Sequence, residues 1–138
     1  MQKDYILEMI EELGRALRAV ISMKKTEPFK ALESIRTVFT ATKFKSKEQF
    51  DQLTVNDLEA YIKEKEIGLQ TLDTVTDLLF EEADMLMDAG NYEPLGRLTA
   101  KLDFLLAYLS KRENELKIVS LKRGGQRNRL QFLLEGLR

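Results

Sequence analysis

Apolar residues recur every three or four positions along most of the chain, a spacing that places them on one face of an α-helix. In residues 2–24 this face comprises Ile6, Met9, Ile10, Leu13, Leu17, Val20 and Ile21. A second run extends to about residue 43. It begins near Thr26, which can cap a helix, and Pro28, which the first helical turn tolerates. The pattern predicts two consecutive amphipathic helices.

Two capping signatures follow in the segments SKEQ and TVND. Ser46 and Thr54 stand three residues before Gln49 and Asp57, the spacing at which each side chain can bond the other residue's backbone amide. These signatures predict short helices near 47–53 and 55–65. A longer apolar-periodic run predicts a further helix over about 68–89.

The segment AGNYEP at 89–94 separates that run from the next. Gly90 accepts the left-handed conformation that ends a helix, Asn91 can cap the following helix, and Pro94 fits its first turn. A connection this short makes the two helices antiparallel neighbours. The segment therefore predicts a helical hairpin.

The helix after Gly90 has a 3.5-residue repeat. Its positions are Leu95, Leu98, Leu102, Leu105, Leu109, Arg112, Leu116 and Val119. Because neither Gly nor Pro occurs at positions 97–123, we predict one helix of about 30 residues that ends at Gly124 and Gly125. The segment QRNRLQFLLEGLR then predicts a last helix.

The fold class predicted is all-α, with five to seven helices packed as antiparallel hairpins and a long helix toward the C-terminus. Residues 1–110 form the hairpin domain and residues 111–138 a basic helical extension. The polar run KRENE at 111–115 indicates that the helix leaves the core there. The extension packs either on the body or on a second chain as a homodimer contact. The predicted contact comprises Leu116, Val119, Leu130, Leu133, Leu134 and Leu137.

Charge is unevenly distributed, although the net charge is only −1. Residues 111–138 carry eight Lys and Arg against three Glu, which leaves 14 basic and 20 acidic residues in the remainder. Five carboxylates share one helix face at steps of four, four, three and four: Asp73, Asp77, Glu81, Asp84 and Asp88. The four like-charged neighbour pairs along this helix cost roughly 1–2 kcal/mol together.

This acidic stripe has four interpretations. It is a solvated face, a docking surface for a basic protein partner, a surface neutralised by the chain's own basic extension, or a weak site for a divalent cation through oxygen ligands. We take the docking surface as the first candidate for partner binding. A carboxylate di-iron site would need Glu-x-x-His motifs, and the chain has no histidine.

The basic extension offers an alternative chemistry, phosphate contact through Lys122, Arg123, Arg127 and Arg129. Gly124 and Gly125 resemble a phosphate-binding loop only weakly, because no Walker pattern, preceding strand or interleaved aromatic accompanies them. We therefore keep nucleic-acid association as the second hypothesis.

Composition excludes several kinds of site. The chain has no cysteine, which removes disulfides, thiolate nucleophiles and cysteine-based metal sites, and no histidine, which removes the commonest general base. No spacing of nucleophile and base emerges, so we predict no enzyme, no cofactor and no metal. The N-terminal run contains acids and no apolar run approaches 18 residues, so we expect a cytoplasmic protein without a membrane span.

At DAGNYEPLGRLTAKLDFLLAYL the pattern resembles a tetratricopeptide repeat, with Gly90 at the turn, Tyr92 after it and Leu95 at the position normally held by Ala. MKKTEPFKALESIRTVF is similar to a second copy, with Ala31 at the small position. DYILEMIEELGRALRAVISMKK further resembles the opening of a family of uncharacterised bacterial proteins with tetratricopeptide-like helices. The resemblance to this family covers residues 3–110 and supports the fold without implying an activity. The tetratricopeptide-like hairpins imply a concave surface that binds peptides or helices. A non-enzymatic scaffold or protein-interaction module is therefore the leading function hypothesis.

Overall fold

Seven α-helices and no strand make up residues 2–138 of the computed structural model, which describes side chains from residue 4 onward. The predicted all-α class is confirmed, and the helix count lies within the expected range. The helices are α1 (Gln2–Met23), α2 (Pro28–Phe39), α3 (Lys47–Gln52), α4 (Val55–Glu64), α5 (Leu69–Asp88), α6 (Tyr92–Glu115) and α7 (Arg123–Gly136).

The turn between α5 and α6 lies where the sequence predicts it. Gly90 has φ +72°, its amide donates to the Met87 carbonyl at 3.1 Å, and the Asn91 amide donates to the Leu86 carbonyl at 2.9 Å. This pair of bonds is the Schellman arrangement, in which a left-handed residue closes a helix. Asn91 makes no side-chain cap bond, contrary to the prediction.

Of the other predicted caps, one forms completely, one forms in part and one is absent. At Thr54 and Asp57 both bonds of the capping box form, at 3.1 and 3.4 Å. Ser46 accepts from the Gln49 amide, but the Gln49 side chain donates to the Tyr61 hydroxyl instead of returning to the cap. Helix α2 starts after Glu27 without a side-chain cap, so the prediction for Thr26 is wrong.

The core lies between α1, α2, α5 and α6. The heptad leucines of α6 up to Leu109 are all buried against it. Three fully buried rings, Phe39, Phe44 and Phe50, pack with centroids 5.1–6.1 Å apart and join the ends of α2 and α3. Such aromatic pairs add about 0.5–1.5 kcal/mol each beyond the area they bury.

Helix α6 ends eight residues earlier than the pattern predicts. The structure closes it at Leu116, and Lys117 takes φ +57°, so the chain leaves the helix without a glycine. The Lys117 amide donates to Asn114 and the Ile118 amide to Glu113, again the Schellman arrangement. Gly124 and Gly125 lie inside the first turn of α7 and do not break a helix.

The reason for the early break is tertiary. Residues 116–122 form the α6–α7 loop, which reverses the chain so that α7 packs on α6 and α5 of the same chain. Because α6 is antiparallel to both of its neighbours, α7 runs parallel to α5. No helix in the described part of the chain is long and apolar enough to cross a membrane.

Candidate interaction surfaces

The upper half of the acidic stripe on α5 is covered by the start of α7. The Lys122 ammonium lies 2.9 Å from Asp73 and 2.8 Å from Asp77. The Arg123 guanidinium lies 2.6 Å from Asp73 and 2.9 Å from Glu113. The first two carboxylates of the stripe are therefore neutralised by cations that follow them by 45 to 50 residues in the chain.

The lower half of the stripe binds two cations, one within α7 and one just beyond the end of α1. Arg129 of α7 contacts Glu81 at 2.9 Å and also Asp84. From the other side, Lys24 just beyond α1 contacts the same two carboxylates at 2.6 and 2.9 Å. Glu81 is buried by this arrangement. Only Asp88, at the end of α5, stands exposed.

This geometry corrects the interpretation of the stripe as a free docking surface. Four of its five carboxylates are occupied by the chain's own cations, which is the third of the arrangements considered from sequence. The like-charge repulsion along α5 is therefore compensated within the chain. The described residues form no cluster of acidic side chains that could hold a metal ion.

The pKa directions follow from the same contacts. Burial lowers the pKa of Lys122, but the hydrogen bonds and charges of Asp77 and Asp73 outweigh it, so the pKa is raised overall. The pKa of Arg129 is raised for the same balance of reasons, with Glu81 and Asp84 as its partners. Burial raises the pKa of Asp77, although Lys122 opposes that rise.

The four residues predicted to contact phosphate are all engaged. Lys122, Arg123 and Arg129 bind the stripe, and Arg127 pairs with Asp103 of α6 at 2.7 Å. The Arg123 side chain is only 10% exposed and also donates to the Gln126 side chain at 2.6 Å. A phosphate would have to displace carboxylates to reach them, which the structure gives no reason to expect.

The leucine set predicted as one homodimer contact is divided by the fold. Leu130 and Leu133 are each 2% exposed and pack in the core formed by their own chain, so they are not part of an exposed contact surface. Leu137 is partly buried on the same core. The exposed members are Leu134 on α7 and, in the α6–α7 loop, Leu116 and Val119.

The α6–α7 loop carries the most exposed apolar segment of the described residues. Leu116 and Ile118 are 50% exposed, Val119 is 85% exposed and Leu121 is 95% exposed. Single exposed apolar residues are ordinary, whereas four within six positions form a patch of the kind that marks contact sites. Sequence reasoning named two of the four and missed Ile118 and Leu121, because it placed the whole segment in a helix.

A buried polar cluster on the opposite face of α5 was also missed. The Lys101 ammonium donates to the carbonyls of Phe50 at 3.1 Å and Asp51 at 2.9 Å and lies 4.9 Å from the Phe50 ring centroid. Lys47 reaches Glu82 at 3.0 Å and also Asp51. Burial lowers the pKa of Lys101 and raises that of Glu82.

This cluster joins α3 to α5 and α6. Both lysines are buried; Lys47 is paired with Glu82 and Asp51, whereas Lys101 is held by two backbone carbonyls. A signal for it existed in the sequence: Lys101 stands three residues after Leu98 and four before Leu105, in the apolar register of α6. The arrangement is structural, since it closes the end of α3.

A cavity of about 870 Å³ opens beside the first turns of α1. Its apolar wall includes Tyr5, Ile6, Met9 and Ile67, and Lys43 stands at its edge. The Lys43 ammonium donates to the Lys65 carbonyl at 2.9 Å and thereby closes the end of α4. The lining is mixed, because Thr42, Glu66, Gln70 and Thr71 also face the cavity, and the lysine among them is used for structure.

The tetratricopeptide resemblance rests on the α5–α6 hairpin. The structure places Gly90 in the turn, Tyr92 half-exposed and Leu95 fully buried at the position where that repeat normally has Ala. No protein-family model, curated protein or solved structure matches this chain. The resemblance to the bacterial family stays a prediction.

Proposed function

We propose that this chain is a non-enzymatic helical scaffold, a protein-interaction module whose contact surface is the α6–α7 loop. The observation that supports this proposal is the exposure of four large apolar side chains within that loop. Two cations at the end of the loop, Lys122 and Arg123, are already paired with carboxylates of the same chain. A cytoplasmic location belongs to the same proposal.

Burial of the apolar side chains of this loop offers enough free energy for a specific protein contact. Burying a Val, Leu or Ile side chain fully is worth about 1.5–3 kcal/mol, so four half-exposed to fully exposed side chains offer roughly 5–10 kcal/mol before the costs of association. Those costs are of similar size, so the partner must bury the loop well to bind at all. The partner's surface should therefore be apolar, and binding should depend little on salt.

A photo-crosslinking amino acid at position 119 or 121 tests the proposal. The matched control is position 29, because Phe29 is 87% exposed on α2, far along the chain from the loop. We expect the same discrete protein adducts from both loop positions, lost when the other loop residue is changed to serine. The proposal fails if position 29 yields the same adducts, or if the loop positions yield none.

The nucleic-acid hypothesis requires the cations at the end of the loop to be free to bind phosphate. Because Lys122 and Arg123 are paired, we expect the intact chain to pass heparin without salt-sensitive retention. Asp73→Asn with Asp77→Asn releases Lys122 and leaves Arg123 with Glu113 as its one carboxylate partner, so it should introduce weak retention. Strong retention of the unaltered chain, lost in a chain that ends at Ser110, would support the alternative instead.

A further inference from the structure

The α6–α7 loop has the sequence of a helix but the conformation of a turn. The leucine repeat of α6 continues through it, since Leu116 and Val119 follow Leu109 and Arg112 at the steps of a heptad, and no Gly or Pro intervenes. Yet Lys117 takes φ +57° at a position where helices usually end in glycine. The closed arrangement therefore imposes an uncommon backbone conformation on a lysine.

The turn also leaves apolar side chains without cover. In the closed chain Val119 and Leu121 are almost wholly exposed, whereas Leu105 and Leu109 on the preceding turns are buried. If α6 continued through the loop, Leu105, Leu109, Leu116 and Val119 would lie on one face of a single helix. A straight α6 would, however, carry α7 away from its own body.

The surface that α7 occupies is complementary to that helix in charge as well as in apolar character. It offers Asp73, Glu81 and Asp84 to the cations of α7, and it buries Leu130 and Leu133. A second copy of this chain presents the same surface. None of these contacts depends on α6 and α7 belonging to one polypeptide.

From these observations we infer that the α6–α7 loop is a hinge, and that α7 of one copy exchanges with α7 of a second copy. This inference rests on the proposed function, because it names the protein partner of the loop. In the exchanged pair each α7 keeps its ion pairs, now on the other body. The straightened segments bring Leu116 and Val119 of both copies together, which covers these two members of the apolar patch.

Site-directed crosslinking tests the exchange, and a chain without native cysteine makes it specific. Arg127 and Asp103 lie in contact across α7 and α6, and both are surface side chains, so single cysteines there disturb little. Asp103→Cys and Arg127→Cys chains with different tags are co-expressed and treated with a short bis-maleimide. We expect a covalent dimer of one chain of each kind.

The double variant Asp103→Cys/Arg127→Cys is the control for reactivity. Formation of an internal crosslink in the double variant, with none between the two single variants, overturns the exchange. If loop adducts nevertheless form with other proteins, the proposed function stands without it. If neither crosslinks nor loop adducts form, both proposals fail.

Lys117→Gly, in a chain that is otherwise unaltered, provides an independent test of the hinge. Glycine removes the side-chain penalty at φ +57°, so each closed hinge gains about tenfold in equilibrium and the association constant of the pair falls about a hundredfold. Lys45→Gly is the matched control, since Lys45 also has positive φ, +72°, but lies outside the hinge. Light scattering at micromolar concentration should show a shift toward monomer only for position 117. Equal behaviour of the two variants contradicts the hinge.

Discussion

Replacing Arg123 by glutamine tests whether ion pairs hold α7 on the body. The guanidinium is 10% exposed and bridges Asp73 of α5 to Glu113 of α6, so it joins three helices at one point. Its Nε donates to Glu113 at 3.1 Å and its Nη2 to the same carboxylate at 2.9 Å, the bidentate geometry that favours arginine. Glutamine retains polarity but cannot neutralise either carboxylate.

The expected cost follows from what is left behind. Breaking a buried ion pair typically costs about 3–5 kcal/mol, because the remaining charge is uncompensated. Asp73 keeps Lys122, so only Glu113, which is 13% exposed, loses its cation. We therefore expect Arg123→Gln to lower the free energy of unfolding by about 2–3 kcal/mol. At an unfolding entropy of ~2.1 cal/mol/K per residue this lowers Tm by about 7–10 °C.

Urea unfolding followed by circular dichroism measures the loss, and hydrogen exchange of α7 amides locates it. Arg97→Gln is the control, because Arg97 pairs with Glu93 at a similar distance, 2.9 Å, but on an exposed helix face. That change should cost less than about 0.5 kcal/mol. If the two variants lose the same stability, or if α7 exchange is unaltered in Arg123→Gln, the ion pairs do not hold the helix.

Three further outcomes are expected. Gly90→Ala should destabilise by about 1–2 kcal/mol through its φ of +72°, whereas Gly96→Ala inside α6 should stabilise by up to about 1 kcal/mol; urea midpoints with the same sign contradict this. Thr54→Ala should cost about 1 kcal/mol in the same assay, and an unchanged midpoint would deny the capping box a role. Burial raises the pKa of Glu82 above its ordinary 4.5. Between 4.5 and the raised pKa the folded chain therefore binds more protons than the unfolded chain, and its stability falls as pH rises through this window. Glu82→Gln removes this contribution, so a constant stability difference from wild type across the window opposes the assignment.

The parts of the fold that sequence predicts are those that neighbouring residues determine. The turn at Gly90 and the buried leucines from Leu95 to Leu109 follow from local backbone freedom and helical spacing, and both are seen. The capping box at Thr54 is predicted for the same reason, since its two partners lie three residues apart.

The break at Lys117 was beyond such reasoning. Nothing within one turn of that residue distinguishes it from helix interior, and the alternative glycines at 124 and 125 are better helix breakers. The break is imposed by the docking of α7, whose contacts with α5 span 45 to 50 residues of chain. Sequence named the two charged surfaces but could not establish that they meet.

Apolar and polar contacts have different roles in the α7 interface. Leu130 and Leu133 favour burial in any orientation, because apolar burial has no direction. The polar contacts set the register, since α7 steps by three residues while α5 steps by four. The pairs are Arg123 with Asp73, Gln126 with Asp77, and Arg129 with Glu81.

Packing in which one helix contributes three-residue ridges and its neighbour four-residue grooves is typical of helices inclined by about 20°. A shift of α7 by one turn toward the start of α5 would place Arg123 beside Gln70, outside the acidic stripe, and would leave Asp84 without Arg129. A shift of one turn the other way would keep Arg123 beside the stripe but would carry it away from Glu113 of α6. The stripe and Glu113 together therefore favour the register seen here.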